Sequence, residues 1–215
     1  MNKSHLLFDL DGTISDPAAG ITKSFAYALG AFGIHVADLS ELRRVIGPPL
    51  RDSFRNLYGF DDEATEIAVA KYREYFAETG IFENDLYEGV EPLLRDLRDA
   101  GKTLIIATSK PTIYTSRILE HFAIAEFFTF VSGAELDGRR SVKSEIIRYA
   151  LENVAGATAE NSVMIGDRRH DIDGARAVGM ASVGVLYGYG DERELRDAGA
   201  AYTAANVREL GELLR

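Results

Sequence analysis

A chain of 215 residues, 46% of them apolar, is long enough to bury one or two cores. Its 24 Lys and Arg against 34 Asp and Glu give a formal charge of −10, which excludes wrapping a nucleic-acid polymer by a broad basic face. The absence of Cys excludes disulfides, thiolate zinc sites and a Cys nucleophile, so any chemistry falls to oxygen and nitrogen groups.

Met1-Asn2-Lys3-Ser4-His5 leads straight into Leu6-Leu7-Phe8, with Asp9 and Asp11 where an export signal would need apolar residues. No apolar stretch approaches the ~20 residues that cross a bilayer. A cytoplasmic location with no membrane partner is therefore expected. The first strand is placed near 4–9. From Asp16 to about Phe82 the pattern changes to helical spacing, in pieces at 18–32, 39–46, 49–58 and 61–79. Gly33, Gly47-Pro48-Pro49 and Gly59 punctuate them, and Asp61-Asp62-Glu63 suits a helix N-terminus. After that stretch helices and short apolar strands alternate. A helix over 90–100 stops at Gly101, a strand occupies 102–108, and Pro111 opens a helix to about Phe122. Strands at 127–132, 161–166 and 181–186 are separated by helices over 144–154 and 171–178. Strand alternating with helix predicts an α/β fold, a doubly wound parallel sheet. The predicted domains are an α/β core, 1–15 with 83–215, and an inserted small helical domain, 16–82.

The most informative string is Asp9-Leu10-Asp11-Gly12-Thr13, directly after the first strand. Side chains two apart in extended backbone point the same way, so both carboxylates face one site at the carboxyl edge of the sheet, where open α/β sheets bind ligands. Gly12 lets backbone amides approach an anion. Gly166-Asp167-Arg168-Arg169-His170-Asp171 follows a later strand and brings two more acids to that edge. Three or four converging oxygen ligands suit a hard divalent cation, Mg²⁺ rather than Ca²⁺ if waters and a phosphate complete the shell. Read alone, Asp171 is a helix cap. Thr108 closes a strand with a hydroxyl and Lys143 opens a helix with a point charge; singly, Thr108 reads equally well as a strand-end or cap residue, and Lys143 as a solvated surface lysine before a functional one.

In the order acids, hydroxyl, lysine, acids, the sequence resembles the haloacid dehalogenase-like phosphatases, whose signatures are D-x-D-x-T/V, a strand-end Thr or Ser, a Lys, and G-D-x-x-x-D. The resemblance implies a Rossmann-like core with an inserted helical cap. It also implies Asp9 as nucleophile and Asp11 as general acid/base. Thr108, Ser109, Lys143 and Gly12 then bind the phosphoryl group, and Asp9, Asp11 (through its carbonyl), Asp167 and Asp171 hold Mg²⁺. The family's lysine is often followed by Pro, whereas here it is Lys143-Ser144. Ile46-Gly47-Pro48-Pro49-Leu50-Arg51 and Thr108-Ser109-Lys110-Pro111 resemble the branch of phosphoglycolate phosphatases and bacterial 5′-nucleotidases, with Arg51 and Lys110 as candidate substrate contacts. The implied partner is a small phosphorylated metabolite, a nucleoside 5′-monophosphate or phosphoglycolate, acted on by a monomer or homodimer. Two alternatives share the chemistry: a phosphomutase of the same superfamily, and a phospho-accepting receiver-like module, which would lack both Asp11 and the helical insertion. The aromatic helix Tyr72, Tyr75, Phe76 reads as core packing before base stacking, and His170 as an exposed helix-start residue before a metal ligand.

Overall fold

The computed structural model describes residues 1–215. In chain order the elements are β1 (His5–Phe8), β2 (Ser15–Asp16), α1 (Ala18–Gly30), a 3₁₀ segment (Leu39–Val45), α2 (Leu50–Tyr58), α3 (Asp62–Glu78), a 3₁₀ turn (Gly80–Phe82) and β3 (Asp85–Leu86). They continue as α4 (Val90–Asp99), β4 (Thr103–Pro111), α5 (Thr112–His121), a 3₁₀ turn (Ala125–Phe127), β5 (Phe128–Ala134), α6 (Lys143–Asn153), β6 (Ser162–Gly166), α7 (Arg169–Ala177), β7 (Ala181–Val185), α8 (Glu192–Ala198), β8 (Tyr202–Ala204) and α9 (Val207–Leu214). The chain divides into two compact units, Met1–Asp16 with Leu86–Arg215, and Pro17–Asp85. None of these helices is long and apolar enough to cross a membrane.

The first unit is built on a six-stranded sheet in the order β5-β4-β1-β6-β7-β8. Every neighbouring pair runs parallel, with β1 hydrogen-bonded to β4 on one side and β6 on the other. All four residues of β1 are buried, as expected of a central parallel strand covered on both faces. On one face Leu7, Ile105, Ala107 and Met164 pack against Ile146, Ile147 and Ala150 of α6 and Ala175 of α7. This non-directional apolar contact fixes where α6 and α7 begin, and their first residues carry polar groups to the carboxyl edge. The strand order reverses about β1, so the ends of β1, β4 and β6 share the crevice at the switch point.

All five strands expected for this sheet are present within a few residues of their predicted bounds, and β4 runs on to Pro111. Beyond residue 186, where no element is predicted, the structure adds α8, β8 and α9.

The second unit is helical. Phe25 of α1 stacks on Phe54 of α2 with ring centroids 4.2 Å apart, and Tyr72 stacks on Phe76 at 5.4 Å. Tyr72 and Phe76 are buried, so the aromatic spacing of α3 is core packing. Gly20 lets α1 press on the turn at Gly80, where a Cβ would lie 1.9 Å from the Gly80 carbonyl oxygen. The predicted helix at 39–46 is 3₁₀ instead: it ends in an extended Ile46 before Gly47-Pro48-Pro49, whose prolines do not allow a helix to propagate.

Candidate active site

Asp9 follows β1 and continues its ladder, its amide donating to the Ile165 carbonyl at 2.9 Å. Its Oδ1 accepts from the Leu10 amide at 2.8 Å, which fixes the carboxylate at the strand end. Asp167 stands at the equivalent end of the neighbouring β6, and Asp171 lies in the first turn of α7, where its Oδ2 accepts from the Arg168 amide at 3.1 Å. The latter bond is the cap that the sequence alone suggested, and it leaves the other oxygen to face the site. One carboxylate oxygen from each of Asp9, Asp167 and Asp171 lies within 4.8 Å of the others, and all three residues are buried.

Lys143, the first residue of α6, reaches into this cluster. Its Nζ lies 2.7 Å from Asp171 Oδ1 and 3.1 Å from Asp9 Oδ1, and it donates to the Ala107 carbonyl at 3.0 Å. Gly174 makes room for the lysine stem, since a Cβ there would sit 2.7 Å from Lys143 Cγ. Thr108 is buried at the end of β4, and its Oγ1 accepts from the Lys110 amide at 3.3 Å. Ser109 Oγ donates to the Ser141 carbonyl at 3.5 Å.

Asp11 is oriented differently from Asp9. Its Oδ2 pairs with Lys110 Nζ at 2.8 Å, and its Oδ1 is buried without a hydrogen-bond partner. Lys110 is thus engaged by Asp11 through a side chain only 6% exposed. Arg51 lies in the helical unit on α2, where Glu66 takes its guanidinium in a bidentate pair at 2.6 and 2.9 Å. Gly12 adopts φ +82°, and a Cβ there would lie 2.1 Å from Asp167 Oδ2, so only glycine fits between the two acidic segments. His170 is exposed, and the acid cluster is complete without it.

The electrostatics follow from burial. Four carboxylates (Asp9, Asp11, Asp167, Asp171) face two ammonium groups (Lys110, Lys143), which leaves two formal negative charges uncompensated. Burial, then Asp171 and Asp9, push the Asp167 carboxyl well above the usual carboxylate range. Burial also raises Asp171, opposed by Lys143, to about 6. Asp11 is raised by burial, with Lys110 pulling it back. Burial pulls the Lys143 ammonium down, but Asp171 and Asp9 outweigh it and hold the group charged above the ordinary lysine range. Asp9, Asp167 and Asp171 offer three converging carboxylates, two of them raised by burial and one, Asp167, with an Oδ1 that is buried and unpartnered, a donor set that could hold a hard divalent cation.

Sequence reasoning missed the segment Tyr187-Gly188-Tyr189-Gly190 after β7. The Tyr189 amide donates to Asp167 Oδ2 at 2.7 Å, and the Tyr187 phenol donates to the Thr13 carbonyl at 3.0 Å. A Gly-Tyr alternation directly after an apolar strand of the same sheet is the signal that marks it.

The haloacid dehalogenase-like hydrolase family matches residues 6–185. The chain is 45% identical over 210 residues to a 5′-nucleotidase of Pseudomonas aeruginosa, covering 98% of this chain and 95% of that protein. It is 40% identical over 211 residues to the tyrosine-protein kinase PtkA of Mycobacterium tuberculosis, covering 97% of this chain and 72% of that protein. The fold superposes on the crystal structure of a predicted phosphatase from Clostridium acetobutylicum with a TM-score of 0.97 at 46% identity, over 100% of this chain and 99% of that one. A family match across most of the chain, on a parallel sheet that gathers these acids at its switch point, places the protein in the haloacid dehalogenase-like hydrolase family, among its phosphatases.

Proposed function

We propose that the protein is a Mg²⁺-dependent phosphomonoesterase that works through an aspartyl phosphate on Asp9. Its substrate is a small phosphorylated metabolite of the cytoplasm, a nucleoside 5′-monophosphate ahead of phosphoglycolate. The observation that carries this reading is the convergence of Asp9, Asp167 and Asp171 at the end of β1, with Lys143 paired to Asp9 and Asp171. Asp9, Asp167 and Asp171 would hold the cation, which when bound supplies charge stabilisation for the transferring phosphoryl group. Lys143 offsets the repulsion between the anionic Asp9 and an anionic ester, the electrostatic term on which phosphoryl transfer mostly depends. The Asp9 carboxylate forms a bond to phosphorus as the bond to the leaving oxygen breaks, so one difficult displacement becomes two easier ones. Asp11, raised by burial and outside the acid trio, protonates the leaving oxygen and then takes a proton from the hydrolytic water.

The helical unit, inserted just after the Asp9–Thr13 segment, is proposed to select the leaving group. Within it Arg51 is held by Glu66, so its first role is to join α2 to α3. The 45% identity to a protein named 5′-nucleotidase supports the nucleotide ahead of phosphoglycolate. Phosphate release measured across nucleoside 5′-monophosphates, phosphoglycolate and sugar phosphates tests the proposal. Steady turnover that EDTA abolishes and Mg²⁺ restores is expected, fastest on a nucleotide. Release that stops after one equivalent, or persists undiminished in chelator, overturns it.

The acid trio also predicts a pH dependence of cation binding. Asp171 and Asp167 have folded-state pKa values above their unfolded ones, so the fold retains their protons as the pH falls and the cation must displace them. The rise in Tm caused by Mg²⁺ should therefore be small at about pH 5 and reach its full size by about pH 7.5. A thermal-shift titration at both pH values checks this, and equal shifts would remove these carboxylates from the cation site.

A further inference from the structure

The segment between β7 and α8 touches both halves of the acid cluster. Asp167 comes from the end of β6, and its Oδ2 is taken by the Tyr189 amide at 2.7 Å while its Oδ1 is buried with no hydrogen-bond partner. Tyr187 reaches back to the β1 side and donates its phenol to the Thr13 carbonyl at 3.0 Å, while the Tyr189 phenol donates to the Asp16 carboxylate. The intervening residues permit no side chain. A Cβ on Gly188 would lie 2.3 Å from the Gly12 carbonyl oxygen and 2.4 Å from Asp167 Cβ, and one on Gly190 would lie 2.0 Å from the Asp167 carbonyl oxygen.

We propose that Tyr187–Gly190 is a strap that positions Asp167 for the cation: the Tyr189 amide occupies Oδ2 and so presents Oδ1, while Tyr187 ties the strap to the Asp9–Thr13 segment. The two sources of ligands, β1 and β6, are thereby held in one register. The terminal torsion of an Asp carboxylate is broad, and a fixed backbone donor on one oxygen holds the plane of the group so that the other oxygen keeps one direction. The inference rests on reading Asp9, Asp167 and Asp171 as the cation site, and it assigns positioning to residues outside the acidic motifs.

The test is Mg²⁺ binding itself, measured by calorimetry on substrate-free protein and then by the Mg²⁺ dependence of turnover. Gly188→Ala must push the strap off Gly12 and Asp167, so its Mg²⁺ affinity should fall by roughly 10-fold or more, the usual size of an effect exerted through a ligand's own partners. Turnover should return toward the wild-type rate when Mg²⁺ is raised, which distinguishes a displaced ligand from a damaged fold. Tyr187→Phe removes one hydroxyl and nothing else; it should weaken Mg²⁺ binding in the same direction and decides the question if Gly188→Ala does not fold. Wild-type Mg²⁺ affinity in both folded variants, or in Tyr187→Phe alone where Gly188→Ala is unfolded, overturns the strap. Wild-type protein that takes up no Mg²⁺ overturns the cation-site reading and the strap with it, so the two failures give different results.

Discussion

Asp9→Asn should abolish turnover while leaving the fold intact, a loss on the order of 10⁴–10⁶-fold, as for removal of a nucleophile elsewhere. The amide has nearly the shape of the carboxylate and can still accept from the Leu10 amide, the bond that fixes the side chain at the end of β1. What it loses is the anionic oxygen that attacks phosphorus. The effect on stability runs the other way. Asp9 raises the carboxyl groups of Asp11, Asp167 and Asp171 by its charge, so its neutralisation relieves repulsion among buried acids. Its lost attraction for Lys143 offsets part of that gain, because Asp171 still holds the ammonium at 2.7 Å. The Tm of the cation-free variant should therefore match or exceed that of the wild type, while its Mg²⁺ affinity falls. Phosphate release, thermal melting in EDTA, and mass spectrometry for a phosphorylated chain check the three parts. A variant retaining more than about a tenth of wild-type turnover would exclude Asp9 as the group that forms the covalent bond.

The elements legible in the sequence are those whose environment is uniform along their length. β1, β4, β6 and β7 lie within the sheet, so each is a continuous apolar run bounded by turn residues. α4 and α5 carry apolar residues at helical spacing because one face packs on the sheet. By contrast β8 is a three-residue edge strand whose Tyr202 is exposed, and α8 spans seven residues with only Leu195 and Ala198 buried. Such short pieces have too little periodicity to be read without the sheet they complete. The segment at 39–46 carries helical spacing, but i to i+3 and i to i+4 patterns are indistinguishable over seven residues. In the site, the spacing of Asp9 and Asp11 and the position of Asp167 at a strand end place these acids at one edge from local rules alone. The division of labour between the two aspartates is tertiary. Asp9 turns toward Lys143 and Asp11 toward Lys110, and nothing within Asp9-Leu10-Asp11 distinguishes them. The contact of Gly188 with Gly12 joins residues from opposite ends of the chain, and only the parallel order of β1, β6 and β7 brings them together.

Lys143→Ala should reduce turnover by about 10²–10⁴-fold and also destabilise the cation-free protein, because one ammonium serves two buried carboxylates. Nζ sits between Asp9 and Asp171 in a setting that excludes water, where Coulombic attraction is far stronger than at the surface. Its removal leaves Asp9, Asp167 and Asp171 facing one another with no cation. Breaking a buried pair in this way costs about 3–5 kcal/mol, reduced here to the extent that the acids take up a proton instead. Mg²⁺ can replace much of the missing charge, so the Tm gained on adding Mg²⁺ should be larger in the variant than in the wild type. It is not expected to replace the rate, because the ammonium lies 3.1 Å from Oδ1 of Asp9, the proposed nucleophile, where it offsets the charge of an incoming anionic ester. Lys143→Arg should also fail to restore turnover: the stem packs where a Gly174 Cβ would come within 2.7 Å, and a planar fork does not reproduce a point charge shared among Asp9, Asp171 and the Ala107 carbonyl. Melting curves in EDTA and in saturating Mg²⁺, paired with phosphate release at saturating Mg²⁺, separate the two effects. An alanine variant that regains both stability and rate in Mg²⁺ would reduce Lys143 to a counter-ion of the empty cluster.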